Sequence, residues 1–312
     1  MRAPTSGVVA PALAAAAAAA SWALWIEPRR LAVRHARLDL PAWPARLDGL
    51  RVAVLCDLHT GVPHVGVGRV AHVVEAINAE APDLVCLLGD YVDGRALLAK
   101  RLELAPVADA LGGLRARLGV VAVLGNHDWL TAGPRMAGAL EAAGIPELEN
   151  DARRIAAPGG PLWVAGLSDY RMRAPSFAVA LRDVPPGDPV LALSHDPDVF
   201  PRAPARVALT LSGHLHGGQV RLPGVGTRHI PSHYGKRYLA GHIVEAGRHL
   251  YVSSGVGTSG LPVRFRRPPE IALLALHRGP DPAAPDARAP GRDGLTEREV
   301  EIHAPEAPEE WS

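Results

Sequence analysis

Three short apolar runs in the first half of the chain, each ending on a polar residue, limit what it can fold into. Arg51–Cys56 ends at Asp57, Leu84–Leu88 ends at Gly89-Asp90, and Val120–Leu124 ends at Gly125-Asn126. Helical spacing separates them: Val70, Val73, Val74 and Ile77 share one face of Gly68–Ala79, and a second helical stretch lies near Leu102–Leu114. Unbroken apolar runs joined by amphipathic helices read as βαβαβ, with strands buried on both faces. Sites in open α/β sheets form beyond the carboxyl ends of strands, which is where these polar residues fall.

The second half is patterned differently. Pro161–Leu167, Pro189–Leu193, Val207–Leu211, Gln219–Leu222, His242–Glu245, His249–Ser253 and Ile271–Leu276 read as short strands between Gly/Pro turns. Glu245-Ala-Gly-Arg248 suits a tight hairpin. These runs predict a second, largely antiparallel sheet packed on the first.

Polar clusters follow several of these runs: Asp57-Leu-His59, Gly89-Asp90-Tyr-Val-Asp93, Gly125-Asn126-His127-Asp128, Ser194-His195-Asp196 and Gly213-His214-Leu-His216. On a strand, residues i and i+2 point the same way, so Asp57 and His59 can address one point if strand geometry persists. Charged groups beside an apolar core need partners, and a divalent cation supplies one. Carboxylate and imidazole donors without a thiolate cluster suit Mn, Fe, Zn or Mg more than a structural zinc site.

The ordered series D-x-H, G-D-x-x-D, G-N-H-D, S-H, G-H-x-H resembles the calcineurin-like metallophosphoesterases, over roughly Arg51 to Leu276. Gly89-Asp-Tyr-Val-Asp-Gly94, Ser194-His-Asp-Pro197, Ser212-Gly-His-Leu-His-Gly-Gly-Gln219 and the late segment Ser254–Arg264 look like the bacterial membrane-associated branch of YkuE/YaeI-type phosphodiesterases. The resemblance implies an α/β sandwich of two packed mixed β-sheets flanked by helices in four layers. It implies two divalent metal ions. Asp57, His59 and His216 would hold the first, Asn126, His195 and His214 the second, and Asp90 both. His127 would be the catalytic histidine and Asp93 the carboxylate that orients it. A hydroxide held between the metals would attack phosphorus in line while the metals neutralise growing charge.

Outside these motifs, His35, His64, His72, His242, His249, His277 and His303 read as structural histidines. Asp128, Asp196 and Asp198 suit local caps or a supporting role around the ligands. Arg264 and His229 are candidate substrate contacts, since a cation near the site can hold a phosphate, as could His233, Lys236 and Arg237. Tyr91 suits either a pocket wall or the core.

Residues 7–26 carry no charge and have the length of a membrane span, with Trp22 and Trp25 at the far end. A cleaved signal peptide and a buried soluble helix are the alternatives. Arg2 alone precedes the span, whereas Arg29, Arg30, Arg34 and Arg37 follow it, so the positive-inside bias places the catalytic domain in the cytoplasm, with export as the alternative. The expected organisation is an anchor or signal segment at 1–27, a linker and first strand at 28–50, the catalytic domain at 51–278, and a disordered Pro/Ala/Asp/Glu/Arg-rich tail at 279–312. A net charge of +1 and 4% aromatic residues argue against a nucleic-acid polymer as partner. No obligate protein partner is evident. Cys56 and Cys86 lack metal-type spacing and suit buried free thiols.

Taken together, the sequence predicts a metal-dependent phosphodiesterase or diphosphatase at a membrane surface. A phosphodiester or diphosphate substrate is expected, lipid-linked in the reading the anchor favours, with UDP-2,3-diacylglucosamine hydrolysis as the leading specific case. The alternatives are a broad-range phosphatase or nucleotide phosphodiesterase, and a non-catalytic scaffold of the same fold, which the intact ligand set disfavours.

Overall fold

The computed structural model describes residues 6–280 and 298–302, apart from residues 97, 101–102, 223, 225 and 228–229. In chain order its elements are α1 (Ser6–Ser21), β1 (Leu31–Leu40), β2 (Leu50–Leu55), α2 (Val67–Ala79), β3 (Leu84–Leu87), α3 (Leu104–Gly112), β4 (Val120–Ala122), α4 (Asn126–Thr131) and α5 (Pro134–Ala142). Then come β5 (Asp151–Ala157), β6 (Gly160–Gly166), α6 (Phe177–Ala180), β7 (Val190–Leu193), β8 (Val207–Ser212), β9 (Gly241–Glu245), β10 (Arg248–Val252), β11 (Glu270–Arg278) and β12 (Arg298–Ile302). Two six-stranded mixed sheets result, in the orders β12-β1-β11-β2-β3-β4 and β5-β6-β7-β8-β10-β9.

The unbroken apolar runs are explained by burial on both faces. In β2, Val52 and Val54 enter the core between the sheets, while Ala53 and Leu55 face the helices. In β3, Leu84 and Cys86 take the first side, Val85 and Leu87 the second. Leu191, Leu209 and Tyr251 meet them from the opposite sheet. Val70, Val73 and Ile77 of α2, with Val107 and Leu111 of α3, cover the outer face. Leu181 and Val184 help cover the outer face of the second sheet against Val190 and Ala192. Each fully buried Val or Leu contributes roughly 1.5–3 kcal/mol. Cys56 and Cys86 are free and buried, and burial pushes both thiols up.

Several expectations need correction. The second sheet is not largely antiparallel. The pairs β6–β7, β7–β8 and β8–β10 are parallel, and only the edge pairs β5–β6 and β9–β10 run antiparallel. Crossovers through α6 and the short 3-10 turn Pro197–Arg202 return the chain, so β7 and β8 end at one edge of the sheet. Gln219–Leu222 forms isolated bridges rather than a strand. β5 has no matching apolar run, because Arg153 and Arg154 are exposed and only Ile155 and Ala157 of this edge strand are buried. The Glu245–Arg248 hairpin forms as expected, with Ala246 and Gly247 at positive φ.

At the amino end, Ala10–Arg29 is one helix long and apolar enough to cross a membrane, by length and composition. From the expected tail, β12 pairs antiparallel with β1, and residues 281–297 and 303–312 lie outside the described residues.

Glu147, which bridges to Ala122 of β4, offers a test of this packing. Burial, with Glu149, Glu141 and Asp128 nearby, pushes its carboxyl up to about 7. The folded protein therefore holds this proton more tightly than the unfolded chain. Its stability falls as pH rises from the ordinary carboxylate range through about 7. Glu147→Gln is expected to stabilise by about 1–3 kcal/mol above pH 8, shrinking below about 1 kcal/mol at pH 5. Thermal melts across pH check this, and an equal gain at both values would refute it.

Candidate metal centre

Each motif residue sits in the loop that follows a strand. Asp57 and His59 follow β2, Asp90 follows β3, Asn126 opens α4 after β4, His195 follows β7, and His214 and His216 follow β8. Because β2, β3 and β4 are mutually parallel, as are β7 and β8, the loops gather at one edge.

The convergence of Asp57 with His59 does not come from strand alternation. β2 ends at Leu55, and both residues have positive φ, 52° and 47°. Asp90, His214 and His216 also have positive φ, 56°, 71° and 50°. Left-handed backbone is costly for side chains of this kind and concentrates at functional sites. Glycines permit the close approach. A Cβ at Gly213 would lie 2.6 Å from Asp57 Oδ2, and one at Gly255 2.8 Å from it.

Two nests of donors result. In the first, His59 Nε2 is 3.0 Å from His216 Nε2, and His216 Nε2 is 3.5 Å from Asp57 Oδ1. In the second, His195 Nε2 lies 3.1 Å from both Asp90 Oδ2 and His214 Nδ1. Asp90 Oδ2 is also 3.5 Å from His59 Nε2, so one carboxylate touches both nests. Asp57, His59 and His216 each offer an atom within 4.8 Å of one another, as do Asp90, His195 and His214. Asn126 Oδ1 is buried without a hydrogen-bond partner. A buried amide oxygen left without a partner, in the loop that also carries His127, suits an oxygen donor to a divalent cation.

Charge is balanced within the nests. Burial alone would lower His59, yet Asp57, Asp93 and Asp90 raise it to about 10. His195 likewise stands well above its ordinary value, held there against burial by Asp90 and Asp57. His216 falls to about 3 through burial, with His59 and Arg264 as nearby positive charges. Burial and His195 push His214 well down. In each nest the surroundings thus favour protonation of one imidazole and oppose it in the other. A cation entering either nest competes with a proton. Metal affinity is therefore expected to rise up to about tenfold per pH unit between pH 6 and 8, with about one proton released per ion. Calorimetry in buffers of different ionisation enthalpy measures this, and buffer-independent heats would refute it.

Supporting groups fix these positions. His195 Nδ1 lies 2.8 Å from Leu88 O, and His214 N donates to Asp57 Oδ2 at 3.0 Å. Asp128 accepts from the backbone N–H groups of Asp90, Tyr91, Val92 and Gly125, tying two ligand loops together. Its reach across the site exceeds a local cap, and its position directly after His127 is the only sequence signal for it. Asp196 caps the turn after His195 by accepting from Asp198 N, and also receives Arg171 Nε at 2.9 Å, a tie the sequence did not suggest.

His127 Nδ1 and His59 Nδ1 each lie 3.1 Å from Asp93 Oδ2. Asp93 therefore touches a candidate ligand as well as the expected catalytic histidine. Although burial opposes it, His127 and His59 hold Asp93 well below the usual carboxylate range. His127 is 21% exposed, whereas His59 and His195 are fully buried.

The expected substrate contacts fare differently. Arg264 is fully buried, which corrects its expected place on the substrate surface. Its guanidinium donates to the carbonyls of Gly257, Arg267, Ser254 and Gly255, and Nη2 lies 3.4 Å from His216 Nδ1. Arg237 is paired with Glu245. His229 lies outside the described residues. Tyr91 is a core aromatic whose hydroxyl donates to Val123 O.

A model of the calcineurin-like phosphoesterases matches residues 50–218. The chain is 28% identical over 273 residues to the uncharacterized metallophosphoesterase YkuE of Bacillus subtilis, covering 86% of this chain and 94% of that one. It is 32% identical over 236 residues to phosphodiesterase YaeI of Escherichia coli, covering 72% and 82%. It is 30% identical over 248 residues to a transmembrane protein with metallophosphoesterase domain of Danio rerio, covering 75% of this chain and 54% of that one, so it spans about half the length of that relative.

Proposed function

This chain belongs to the calcineurin-like phosphoesterase family, and on that premise we propose that it is a two-metal phosphodiesterase or diphosphatase working at a membrane surface. The observation that carries the reading is one carboxylate, Asp90, touching two nests of nitrogen and oxygen donors. Asp57, His59 and His216 would hold one ion, Asn126, His195 and His214 the other, and Asp90 both. Mn, Zn, Fe and Mg all suit these donors. When bound, such ions activate water and neutralise charge gathering on phosphoryl oxygens.

The chain's own groups supply orientation and proton transfer. Asp93 fixes the His127 ring through Nδ1, which turns Nε2 away from it. His127 then holds a proton for the departing oxygen, a role worth about 10²–10⁴-fold in general acid catalysis. Asp93 steadies His59 with the same oxygen, coupling ligand geometry to the acid.

A lipid-linked diphosphate such as UDP-2,3-diacylglucosamine is the leading substrate, supported by the apolar helix Ala10–Arg29. A tethered enzyme of broad range on soluble phosphodiesters is the second reading, supported by the similarity to a phosphodiesterase. The charge bias around the helix favours a cytoplasmic domain.

The test reloads metal-stripped full-length protein with Mn, Zn, Fe or Mg. Each form is assayed on the lipid nucleotide, cyclic nucleotides and an aryl phosphodiester. Efficient turnover of only the soluble esters would overturn the lipid reading. His127→Gln is expected to lower kcat about 10²-fold with metal content unchanged. Wild-type kcat in that variant would remove His127 from the mechanism.

A further inference from the structure

The end of the amino-terminal helix is built into the loops that carry the metal nest. Ala23 O accepts from Arg264 N at 3.0 Å, and Glu27 accepts from the Arg267 backbone N–H. The Trp25 ring packs edge-on against His64 at 5.8 Å, five residues beyond His59. Arg69 Nη2 donates to Arg30 O at 2.7 Å. Ala23 and Glu27 are buried against the domain, while Trp22, Leu24, Trp25 and Ile26 on other faces stay exposed. The same Arg264 whose N–H holds the helix places its guanidinium against His216.

Helix length leaves little slack. A span of about 20 helical residues is about 30 Å long, the thickness of the hydrocarbon core. The uncharged stretch between Arg2 and Glu27 is only slightly longer than that crossing needs, and its last turn is already docked on the domain. The docked loops therefore lie at the bilayer surface with no linker between.

Those loops carry the matching chemistry. Leu261 lies in the turn leading to Arg264 and is 59% exposed. Leu222 is exposed on the loop that bridges to Phe265. Leu98 is 67% exposed on the segment that Lys100 N ties to Gly61 O, beside His59. Arg29, Arg221 and Arg266 are exposed among them and complement anionic headgroups. Exposed leucines beside arginines, continuous with a spanning helix, form an interfacial surface.

We propose that the loops at residues 59–66, 98–100, 219–222 and 259–267 dock on an anionic phospholipid bilayer, so that the rim of the metal centre lies in the headgroup layer and substrate reaches it from the membrane. This deepens the membrane reading above and rests on it.

The experiment uses the full chain in nanodiscs containing brominated anionic phospholipid. Leu13→Cys, Leu261→Cys, Leu98→Cys and Val244→Cys are each labelled with a fluorophore, the native Cys56 and Cys86 being buried. Val244 is the distant control. β1 leads about 30 Å away from the helix, and Asp39 near its far end lies close enough to His242 to oppose, in part, the lowering of its pKa by burial and His249. Labels at 13, 261 and 98 are expected to be quenched at least about twofold relative to the label at 244. If 13 is quenched while 261 and 98 match 244, the docking surface is wrong and the anchor stands. If 13 is not quenched, the membrane reading fails and the docking surface with it.

Discussion

Asp90→Ala is expected to lower kcat/KM more than about 10⁴-fold, about 5.5 kcal/mol of transition-state stabilisation, and to lose both metal ions. The expectation follows from position. Asp90 Oδ2 lies 3.1 Å from His195 Nε2 and 3.5 Å from His59 Nε2, one imidazole from each nest. Its Oδ1 accepts from His127 N at 2.8 Å, so the same side chain also sets the backbone of the proposed catalytic histidine. Alanine removes all three contacts together. Elemental analysis alongside kinetics, with circular dichroism to confirm folding, checks the prediction. A folded variant that keeps one tightly bound ion and near wild-type turnover would refute it.

Arg264→Met is expected to destabilise the protein by about 3–5 kcal/mol, because a buried cation's partners are left unpaired. For a domain of this size that is a fall of about 10 °C in Tm. Four carbonyls converge on this fully buried guanidinium, and methionine can satisfy none of them. Metal affinity is expected to weaken as well, since Nη2 backs His216 at 3.4 Å. Arg264→Lys should recover only part of the loss, because an ammonium lacks the planar fork that reaches several carbonyls at once. Thermal melts with and without added metal test this. Wild-type Tm for Arg264→Met would show that the carbonyl cluster finds other partners.

The candidate metal centre was legible because it lies in short contiguous motifs. Asp57-Leu-His59 and Gly213-His214-Leu-His216 keep their donors adjacent in sequence, and each follows an apolar run whose double burial leaves it unbroken. Arg264 was misread for a physical reason. A lone arginine in a Gly-rich segment looks like surface, and the carbonyls that compensate its burial come from a loop whose path no local pattern reveals. β5 was missed because an edge strand with two exposed arginines lacks an apolar run.

By itself the sequence set out the candidate donors, the order of the first βαβαβ unit and the apolar helix at the amino end. These depend on residue type and period, which are local. Strand direction in the second sheet depends on how crossovers pack, so only the tertiary structure decided that β6, β7, β8 and β10 run parallel. It also decided how the donors converge, through left-handed backbone after β2, β3 and β8 rather than strand alternation. Asp93 contacts two histidines, Asp128 joins two ligand loops, and Arg264 links the amino-terminal helix to His216. Each of these couples residues distant in sequence, and such contacts exist only once the buried core has brought the strand ends together.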